Sequence, residues 1–541
     1  MTAVMSLSRY QEAIIAAAGN SDSGNVIVNA VAGSGKTTTL MMAAESHPLR
    51  RGLAVFAAFN KAIAEHIGKK LSHGGSGMVA KTIHSLGYSE LRSVLGGKIR
   101  IANKKYEALA EKLFVGVKTL APLVHLSTLA RLTLCEITPH ALWELSERHS
   151  IVNPGIFPDE GEEKADAKEE EDAEEKEGDK EKADAKEEER NYWEVAAEVV
   201  GELIGRGDEM ARNEGVIDFC DMLYLPVQWK IVRPQIDWLL IDECQDLSPV
   251  QIELLLRMAR GRVMAVGDPH QAIYGFAGAA ADSFDRVRES FSAYDLPLSI
   301  CYRCPISHIA LAQAIVPQIE AAPGAIDGLV EEIDTARLMN IAEPNDLVIC
   351  RKTAPLVGLF FRFVKRRKPV RLLGKDIGAR IITTVAKIAG WYKGFEYGRF
   401  LFFLEKYFRR RIETQRKKGN CSAVESLIDQ REAISGLYTG LNAPSFAEFC
   451  SGIEKIFTDV VGNYTTLSTV HRIKGGEADR VFILGPQDLP LVWKNQQPWQ
   501  FEQEINLRYV ALTRAKRELY FVGGCAQMEY HPESMEDEDW D

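Results

Sequence analysis

The chain has 541 residues, of which 46% are hydrophobic and 26% are charged, and its formal net charge is −11. These are globular proportions, and no run approaches the roughly 18 apolar residues that a membrane-spanning helix needs. The N-terminus lacks the charged start and apolar core of a secretory signal, and nine scattered cysteines do not make a disulfide framework. We therefore expect no membrane association and a reducing compartment, which is the cytoplasm, or the nucleus in a eukaryote.

The negative charge is concentrated in one low-complexity segment. Residues 159–190 hold 18 acidic and 7 basic side chains, which accounts for the whole net charge, and they contain the sequence EKADAKEEE twice. Residues 529–541 form an acidic tail with seven acids and no lysine or arginine. We interpret 159–190 as a solvated surface insertion, either helical or disordered; a polyanion that competes with nucleic acid for a basic groove is the alternative. The remaining chain is mildly basic, which suits a polyanionic partner.

In chain order, seven short apolar or β-branched runs predict buried strands, and helical stretches separate them. The runs are NVIVNAV, LAVFAAF, DWLLIDE, VMAVGD, DLVICR, RVFILG and LYFVG. Alternation of this kind predicts parallel α/β sheets with functional loops at the strand ends. We expect two such cores, each interrupted by a mainly helical insertion. The first core is 1–90 and 215–292 with insertion 91–214, and the second core is 293–375 and 462–528 with insertion 376–461.

The stretch NVIVNAVAGSGKTTTL predicts a strand, a Gly-rich loop and a helix. In such a loop the backbone N–H groups wrap the β-phosphate of a nucleotide, Lys36 adds a charge near the β- and γ-oxygens, and Thr37 offers a hydroxyl to Mg²⁺. Ala30 stands where the first glycine of the usual pattern lies. A structural Gly-rich turn is the alternative. The predicted phosphate-binding residues are Ala32, Gly33, Ser34, Gly35, Lys36, Thr37 and Thr38.

The run LLIDECQD places two adjacent carboxylates at the end of a predicted strand. We predict that Asp242 is the Mg²⁺ ligand and that Glu243 is the base that polarises water; a cap for the following helix is the alternative. The strand in VMAVGDPHQAIYGF delivers Gln271, which we predict to sense the γ-phosphate. The same stretch contains Tyr274 and Phe276, which are either flat stacking surfaces for bases or core aromatics.

Taken in this order, the motifs resemble those of the superfamily 1 DNA helicases of the UvrD/Rep group, in a form closest to the F-box DNA helicase branch without its F-box. The resemblance implies an α/β fold with two RecA-like parallel-sheet cores, each with a mainly helical inserted subdomain. It implies that LSRYQEA contributes Gln11 to adenine recognition and that STVHRIKGGEAD contributes Glu477 to ribose recognition. It also implies that LSICYRCP and YVALTRAKRELYFVG contribute Arg303 and Arg514, two arginines that act on the γ-phosphate.

By the same resemblance, further motif residues face single-stranded DNA. They are Phe59, Asn60, Thr82, His84, Tyr274, Phe276, Thr469 and His471. For the two histidines, a satisfied position in the core is the alternative. The family pattern has Arg where Ala277 stands and Leu where Gly476 stands. The basic stretches 365–371 and 408–418, near Trp391, either grip duplex phosphates or form a solvated helix face.

These motifs predict an enzyme, an ATP-dependent DNA helicase and translocase with ATP and Mg²⁺ as cofactors. Its expected partners are single-stranded DNA, junctions of single and double strands, and a protein that loads it. Movement in the 3′→5′ direction is implied by the resemblance alone. An ATP-driven translocase that remodels DNA–protein complexes without unwinding duplex is the alternative. The lack of an acceptor-binding motif argues against a P-loop enzyme of small-molecule metabolism.

Overall fold

The computed structural model describes residues 7–46, 52–58, 60–74, 77–114, 120–149, 151, 178–273, 282–392, 394–417, 421–457, 463–494 and 496–523. The chain divides into two compact units. The first unit comprises Met1–Ala30 and Gly35–Leu298, and the second unit comprises Val31–Ser34 and Ser299–Asp541. Each unit contains one six-stranded sheet.

The first unit is built on strands whose β-branched and apolar sequences favour an extended backbone. Its strands are β1 (Val26–Ala30), β2 (Leu53–Ala58), β3 (Val79–Thr82), β4 (Arg100–Ile101), β5 (Val216–Ile217), β6 (Ile236–Ile241), β7 (Ala259–Gly267) and β8 (Tyr294–Leu298). Six of these strands form one sheet in the order β3-β2-β6-β7-β1-β8, and every neighbouring pair is parallel. Alternate side chains point to opposite faces, so Leu239 packs in one apolar cluster while Trp238 and Leu240 pack in another.

Helices cover both faces of this sheet and also form the insertion. They are α1 (Arg9–Gly19), α2 (Lys36–Glu45), α3 (Lys61–Gly74), α4 (Ile83–Leu95), α5 (Lys105–Leu113), α6 (Ala121–Thr133), α7 (Pro139–Arg148), α8 (Gly178–Glu214), α9 (Asp221–Gln228), α10 (Pro249–Met258) and α11 (Ser283–Ser290). Helices α5 to α8 pack around an apolar cluster of their own, which includes Leu123, Trp193 and Leu203. Residues 178–190 of the acidic segment are helical, and residues 159–177 lie outside the described residues.

The second unit repeats the parallel architecture with different elements. Its strands are β9 (Ile300–Cys301), β10 (Glu320–Ala321), β11 (Leu329–Ile333), β12 (Leu347–Cys350), β13 (Val370–Leu372), β14 (Thr465–Thr469), β15 (Ala478–Leu484) and β16 (Ala515–Val522). Its helices are α12 (Ile306–Gln313), α13 (Thr335–Ile341), α14 (Ala354–Lys365), α15 (Lys375–Trp391), α16 (Phe400–Lys417), α17 (Cys421–Leu441), α18 (Phe446–Ile456) and α19 (Pro498–Leu512). The sheet has the order β11-β16-β15-β12-β14-β13, again with parallel neighbours.

The insertion of the second unit packs directly on the sheet. One apolar cluster contains Val348 and Phe482 from the strands together with Phe400 and Phe449 from the insertion helices. Asp429 of α17 adds a polar link, because its carboxylate accepts hydrogen bonds from the backbone N–H groups of residues 353 and 354, at the start of α14, at 2.9 Å each.

The predicted fold class is confirmed. Each of the seven runs predicted to be strands contains one, namely β1, β2, β6, β7, β12, β15 and β16. The two six-stranded parallel sheets are consistent with two RecA-like cores. Among the described residues, no helix combines the length and the hydropathy needed to cross a bilayer.

Candidate functional site

The Gly-rich loop between β1 and α2 has the backbone that a phosphate-binding loop needs. Gly35 has a φ of 80° and caps the start of α2, and Gly33 has a φ of 68°. These left-handed values favour glycine, which lacks a Cβ. Lys36 and Thr37 occupy the first turn of α2, where a helix leaves backbone N–H groups without helical partners and attracts anions. The adjacent Thr38 is exposed.

A carboxylate pair at the end of β6 lies beside this helix terminus. The Thr37 hydroxyl donates a hydrogen bond of 2.9 Å to Asp242 Oδ2, and Lys36 Nζ lies 3.7 Å from Glu243 Oε2. Burial, followed by the charge of Glu243, raises the pKa of Asp242 to about 7. Glu243 has a left-handed φ of 52°, which turns the chain sharply at the strand end.

Thr37 and Asp242 fit a Mg²⁺ site. Mg²⁺ prefers oxygen ligands, and these hydroxyl and carboxylate oxygens are within hydrogen-bond distance of each other. A divalent cation also offsets the cost of holding Asp242 as a buried anion beside Glu243. The described part of the chain contains no group of three or more His, Cys, Asp or Glu side chains that could hold a metal. The remaining ligands of a Mg²⁺ would therefore be water and phosphate oxygens, as is usual in nucleotide sites.

A chain of hydrogen bonds connects Glu243 to Gln271. Gln245 Nε2 donates to Glu243 Oε2 at 2.7 Å, and Gln245 Oε1 accepts from the backbone N–H of Asp268 at 3.0 Å. Asp268 Oδ2 in turn accepts from Gln271 Nε2 at 2.6 Å, and burial raises the pKa of Asp268. Gln245 and Asp268 thus link the residue predicted to polarise water with the residue predicted to sense the γ-phosphate. Neither of these two linking residues was predicted from the sequence.

Gln11 lies on α1, and its side chain stabilises the start of that helix. Ser8 and Gln11 form a reciprocal capping box, in which Ser8 Oγ accepts from the N–H of Gln11 and Gln11 Oε1 accepts from the N–H of Ser8. Gln11 Nε2 also donates to Thr39 Oγ1 on α2 at 3.3 Å. Gln11 is therefore held against the helix that carries Lys36, and its role in adenine recognition stays a prediction.

In the second unit, Arg303, Glu477 and Lys516 form a charged cluster. Arg303 Nε donates to Glu477 Oε2 at 2.6 Å, and Lys516 Nζ lies 2.7 Å from Glu477 Oε1. Burial acts against the charge of Glu477, yet Lys516 and Arg303 hold the pKa of that carboxyl below its ordinary value. Arg303 Nη1 also donates to the carbonyl of Thr513 at 3.2 Å. Arg303 and Glu477, predicted from separate motifs, are thus in direct contact.

Arg514, the other arginine predicted to act on the γ-phosphate, is buried, with 1% exposure. Its Nε donates to the carbonyl of Val510 at 2.8 Å, and its Nη1 donates to the carbonyl of Gly476 at 3.1 Å. Its Nη2 donates to the Thr513 hydroxyl at 3.0 Å. A role at a phosphate requires Arg514 to exchange some of these hydrogen bonds.

The first residues of the Gly-rich loop, 31–34, pack within the second unit. The N–H of Ala32 donates to the hydroxyl of Tyr509 at 2.8 Å. A Cβ added to Gly33 would lie 2.7 Å from the Cβ of Arg303, so glycine is required by space as well as by backbone angle. The Ser34 hydroxyl is buried and donates to the carbonyl three residues earlier at 2.8 Å.

The residues predicted to face DNA in the first unit lie at the ends of the neighbouring strands β2 and β3. Asn60 follows β2, Thr82 is the last residue of β3, and His84 lies two residues further on. Asn60 and Thr82 start helices: Asn60 Oδ1 accepts from the N–H of Ile63 at 2.9 Å, and Thr82 Oγ1 accepts from the N–H of Ser85 at 3.2 Å. Burial lowers the pKa of His84, so its imidazole is neutral near neutral pH. Carboxyl ends of parallel strands meet at one edge of a sheet, and these residues share that edge with the carboxylate pair.

An exposed aromatic ring lies beside His84. Phe219 is 53% exposed, and its ring centroid is 6.1 Å from that of His84 in an edge-to-face arrangement. An accessible ring next to a residue predicted to face DNA has the properties of a base-stacking surface. Phe219 was not among the residues predicted to face DNA. Its sequence signal is the run IDFCD, in which an aromatic residue stands between two aspartates. Phe59, Tyr274 and Phe276, the aromatic residues predicted to face DNA, lie outside the described residues.

Thr469 and His471, the predicted DNA contacts of the second unit, lie at and just beyond the end of β14. Thr469 is the last residue of the strand, and its carbonyl accepts from the N–H of Arg472 at 3.2 Å. Burial, followed by the charge of Arg351, lowers the pKa of His471 to about 3. A neutral His471 brings no charge to a phosphate, so a contact with DNA would be a hydrogen bond or a stacking interaction.

The basic stretch on α16 presents a charged face with exposed rings nearby. Lys406, Arg409 and Arg410 are exposed on this helix, and Phe402 is 55% exposed. Trp391, at the end of α15, is 63% exposed. A grip on duplex phosphates and a solvated helix face both remain interpretations of this surface.

The Gly-rich loop connects a strand to a helix, and the Asp–Glu pair lies beside it at the end of another strand of the same sheet. This combination defines a P-loop nucleotide-binding protein. Within that class, the chain belongs to the UvrD/REP helicase family. Residues 11–292 match the UvrD/REP helicase N-terminal domain, and residues 405–523 match the UvrD-like helicase C-terminal domain. The resemblance drawn from the motifs is thereby confirmed.

The chain is similar to F-box DNA helicase 1 of Gallus gallus, with 25% identity over 520 residues that cover 91% of this chain and 46% of the relative. It is also similar to F-box DNA helicase protein 1 of Schizosaccharomyces pombe, with 27% identity over 299 residues, 52% of this chain and 33% of the relative. A stretch of 119 residues is 29% identical to DNA helicase II of Escherichia coli, covering 20% of this chain and 16% of the relative. The chain thus spans less than half the length of the two F-box relatives.

Proposed function

We propose that this protein is an ATP-dependent DNA helicase that translocates on single-stranded DNA and separates strands at junctions with duplex. One observation in this member of the UvrD/REP family carries the proposal. At the N-terminus of α2, Lys36 Nζ lies 3.7 Å from Glu243 Oε2, and the Thr37 hydroxyl lies 2.9 Å from Asp242 Oδ2. The arrangement combines what the transfer of a phosphoryl group to water needs, namely a phosphate grip, a metal ligand and a base. The similar proteins are named DNA helicases, which favours DNA as the track.

Each residue of this site has one task. The N-terminus of α2 and Lys36 hold the phosphate oxygens, because both provide positive potential there. Glu243 accepts a hydrogen bond from the attacking water and orients it toward the γ-phosphate. Thr37 and Asp242 would hold a Mg²⁺, which would supply positive charge beside the phosphate oxygens. Gln271 is tied to Glu243 through hydrogen bonds, so a change at the γ-phosphate shifts both residues.

We assign Arg303 and Arg514 to the γ-phosphate as well. Both arginines contact Thr513, so a movement of the 513–514 backbone repositions the two guanidinium groups together. The ion pair with Glu477 fixes Arg303, and a phosphate competes with that carboxylate for the guanidinium. Guanidinium groups aimed at the developing charge are worth about 10³-fold or more in rate.

DNA binding is assigned to residues at the strand ends. In the first unit, Asn60, Thr82 and His84 supply hydrogen bonds to the backbone of a single strand, and Phe219 supplies a stacking surface. Contacts of this kind are independent of base sequence. Thr469 and His471 provide the contribution of the second unit. The 3′→5′ direction of movement rests on the family resemblance.

Unwinding of 3′-tailed, 5′-tailed and blunt duplexes in the presence of ATP tests the proposal, with Glu243→Gln as the inactive control. We expect strand separation with the 3′-tailed duplex alone. The alternative is a translocase that remodels DNA–protein complexes. It would be favoured if single-stranded DNA stimulates ATP hydrolysis and the protein displaces streptavidin from DNA, but no duplex is unwound. A protein whose ATP hydrolysis does not respond to DNA would contradict both.

A further inference from the structure

A buried ion cluster connects the helical insertion of the first unit to the turn that carries Phe219. The cluster consists of Lys105 and Tyr106 on α5, Arg131 on α6, Asp218 directly after β5, and Asp221 at the start of α9. The side chains of Lys105, Arg131 and Asp221 have 0% exposure, and that of Asp218 has 12%. Two cations balance two anions, which is the condition under which charges are tolerated in a protein interior.

The two aspartates fix the backbone of the turn as well as its charges. The N–H of Asp218 donates to Asp221 Oδ2 at 3.0 Å, and the N–H of Asp221 donates to Asp218 Oδ1 at 2.6 Å. Each carboxylate therefore closes the turn from one side. Phe219 stands between them in sequence, with its ring exposed and in contact with His84. The position of this ring follows from the geometry of the turn.

Arg131 is the residue on which both aspartates converge. Its Nη1 donates to Asp221 Oδ1 at 2.8 Å, and its Nη2 donates to Asp218 Oδ2 at 3.1 Å. Its guanidinium carbon lies 3.7 Å from the centroid of the Tyr106 ring. Lys105 Nζ completes the arrangement with a bond of 2.6 Å to Asp221 Oδ2. A planar guanidinium can bridge two carboxylates and stack on a ring at once, which an ammonium group cannot do.

We propose that Arg131 and Lys105 are positioning residues for single-stranded DNA. Both hold the 218–221 turn so that Phe219 lies beside His84 as a stacking surface for a base. Both are fully buried and act on DNA through this turn. The inference rests on the proposed function and adds that the helical insertion, in addition to the sheet, sets the geometry of this DNA contact.

A double-mutant cycle between Arg131 and Phe219 tests the proposal. The affinity of the full chain for a fluorescent oligo(dT) is measured by anisotropy for Phe219→Ala, Arg131→Met and the double variant. Because stacking of one base is lost in each case, we expect each single variant to bind about tenfold more weakly. The double variant should bind no more weakly than Phe219→Ala. Losses that multiply to about a hundredfold would overturn the proposal, and so would unchanged affinity in Arg131→Met.

Arg206→Met is the matched control for loss of an arginine from the insertion. Arg206 bonds Glu202 and Glu209 on α8, but its side chain is 50% exposed. We expect this variant to bind oligo(dT) with the affinity of the parent. A loss as large as that of Arg131→Met would overturn the proposal, because the effect would then not be specific to the buried ion cluster.

A second variant keeps the test informative if Arg131→Met does not fold. Lys105→Met combined with Asp221→Asn removes one charge of each sign and weakens the hold on the turn, and the same cycle with Phe219→Ala applies. A parent chain that does not bind oligo(dT) contradicts the proposed function itself. A parent that binds, but whose affinity is unchanged by Phe219→Ala, contradicts this inference alone.

Discussion

Replacing Asp242 with asparagine should stabilise the nucleotide-free protein while abolishing ATP hydrolysis. The Asp242 carboxyl is buried, with 2% exposure, and burial followed by the charge of Glu243 raises its pKa to about 7. A raised carboxyl pKa means that the folded state holds the proton more tightly than the unfolded chain does. Ionised Asp242 therefore destabilises the fold at every pH above the ordinary pKa of the carboxyl. Asparagine has a similar shape without the charge. Its Oδ1 can keep the hydrogen bond from the N–H of Glu243, and the Thr37 hydroxyl, which now donates to Asp242 Oδ2, can turn to accept from Nδ2.

The size of the effect follows from the shift in pKa. The pKa of Asp242 rises from the ordinary value of 3.8 to about 7, and each pKa unit corresponds to about 1.4 kcal/mol. Ionised Asp242 therefore lowers the free energy of unfolding by about 4 kcal/mol near pH 8. Near pH 5.5 the carboxyl is protonated in the folded state and ionised in the unfolded chain, so the cost falls to about 2 kcal/mol. The gain from Asp242→Asn should therefore be about twice as large near pH 8 as near pH 5.5.

Thermal unfolding without nucleotide or Mg²⁺ measures this difference. At about 2–4 °C per kcal/mol, the melting temperature should rise by about 10 °C near pH 8 and by about half as much near pH 5.5. Asp282→Asn, at a carboxylate that is 53% exposed, is the control and should leave the melting temperature unchanged. Added Mg²⁺ should stabilise the parent more than Asp242→Asn. A variant that melts below its parent, or a gain that is independent of pH, would contradict the assignment of a buried, destabilising charge to Asp242.

Five further substitutions test the roles assigned to the residues of the nucleotide site. Lys36→Ala should abolish ATP turnover and weaken binding of a fluorescent ATP analogue, whereas Glu243→Gln should abolish turnover with the nucleotide still bound; near-normal DNA-stimulated turnover in Glu243→Gln would contradict the base assignment. Arg303→Ala and Arg514→Ala should each lower kcat by about 10³-fold or more and leave oligo(dT) affinity unchanged; intact hydrolysis in both would contradict the arginine assignment. Gly33→Ala should weaken binding of the ATP analogue in a titration, because its Cβ would lie 2.7 Å from the Cβ of Arg303.

Gly324→Ala is the control for Gly33→Ala. Gly324 has a φ of 78°, and a Cβ added there would meet nothing within 4 Å. This variant therefore introduces similar backbone strain without the steric contact. Equal ATP binding in both variants would show that the contact at Gly33 does not matter.

The strands and the arrangement of the candidate nucleotide site could be predicted because their signals are local. A parallel strand covered on both faces reads as a nearly continuous apolar run, as in WLLI, so a short run identifies it. A Gly-rich loop binds phosphate with its own backbone, so GSGKT is recognisable without any distant partner. The carboxylates Asp242 and Glu243 directly follow such a strand, and their contacts with Lys36 and Thr37 follow from the sheet.

The residues that were missed depend on contacts between distant parts of the chain. Arg131 forms a hydrogen bond with Asp218, which lies 87 residues further along the chain. The sequence around Arg131, LARLT, by itself predicts only an ordinary amphipathic helix. Phe219 is one of 22 phenylalanines, and only the fold shows that its ring is exposed beside His84. Asp268 bonds Gln245 through its backbone N–H, a group that every non-proline residue has and that no sequence pattern distinguishes.

In the second unit, the strands and the inserted helices share one interior, in which Val348 and Phe482 pack with Phe400 and Phe449. Boundaries drawn in the sequence near residues 376 and 461 therefore do not separate independently folding parts, and we expect the strands and the inserted helices to unfold together. Excising the insertion would remove one wall of the sheet, and the excised helices would lose the surface against which they fold. Over evolutionary time, the loops of this insertion can change in length freely, whereas exchange of its helices requires compensating changes in the strands beneath them.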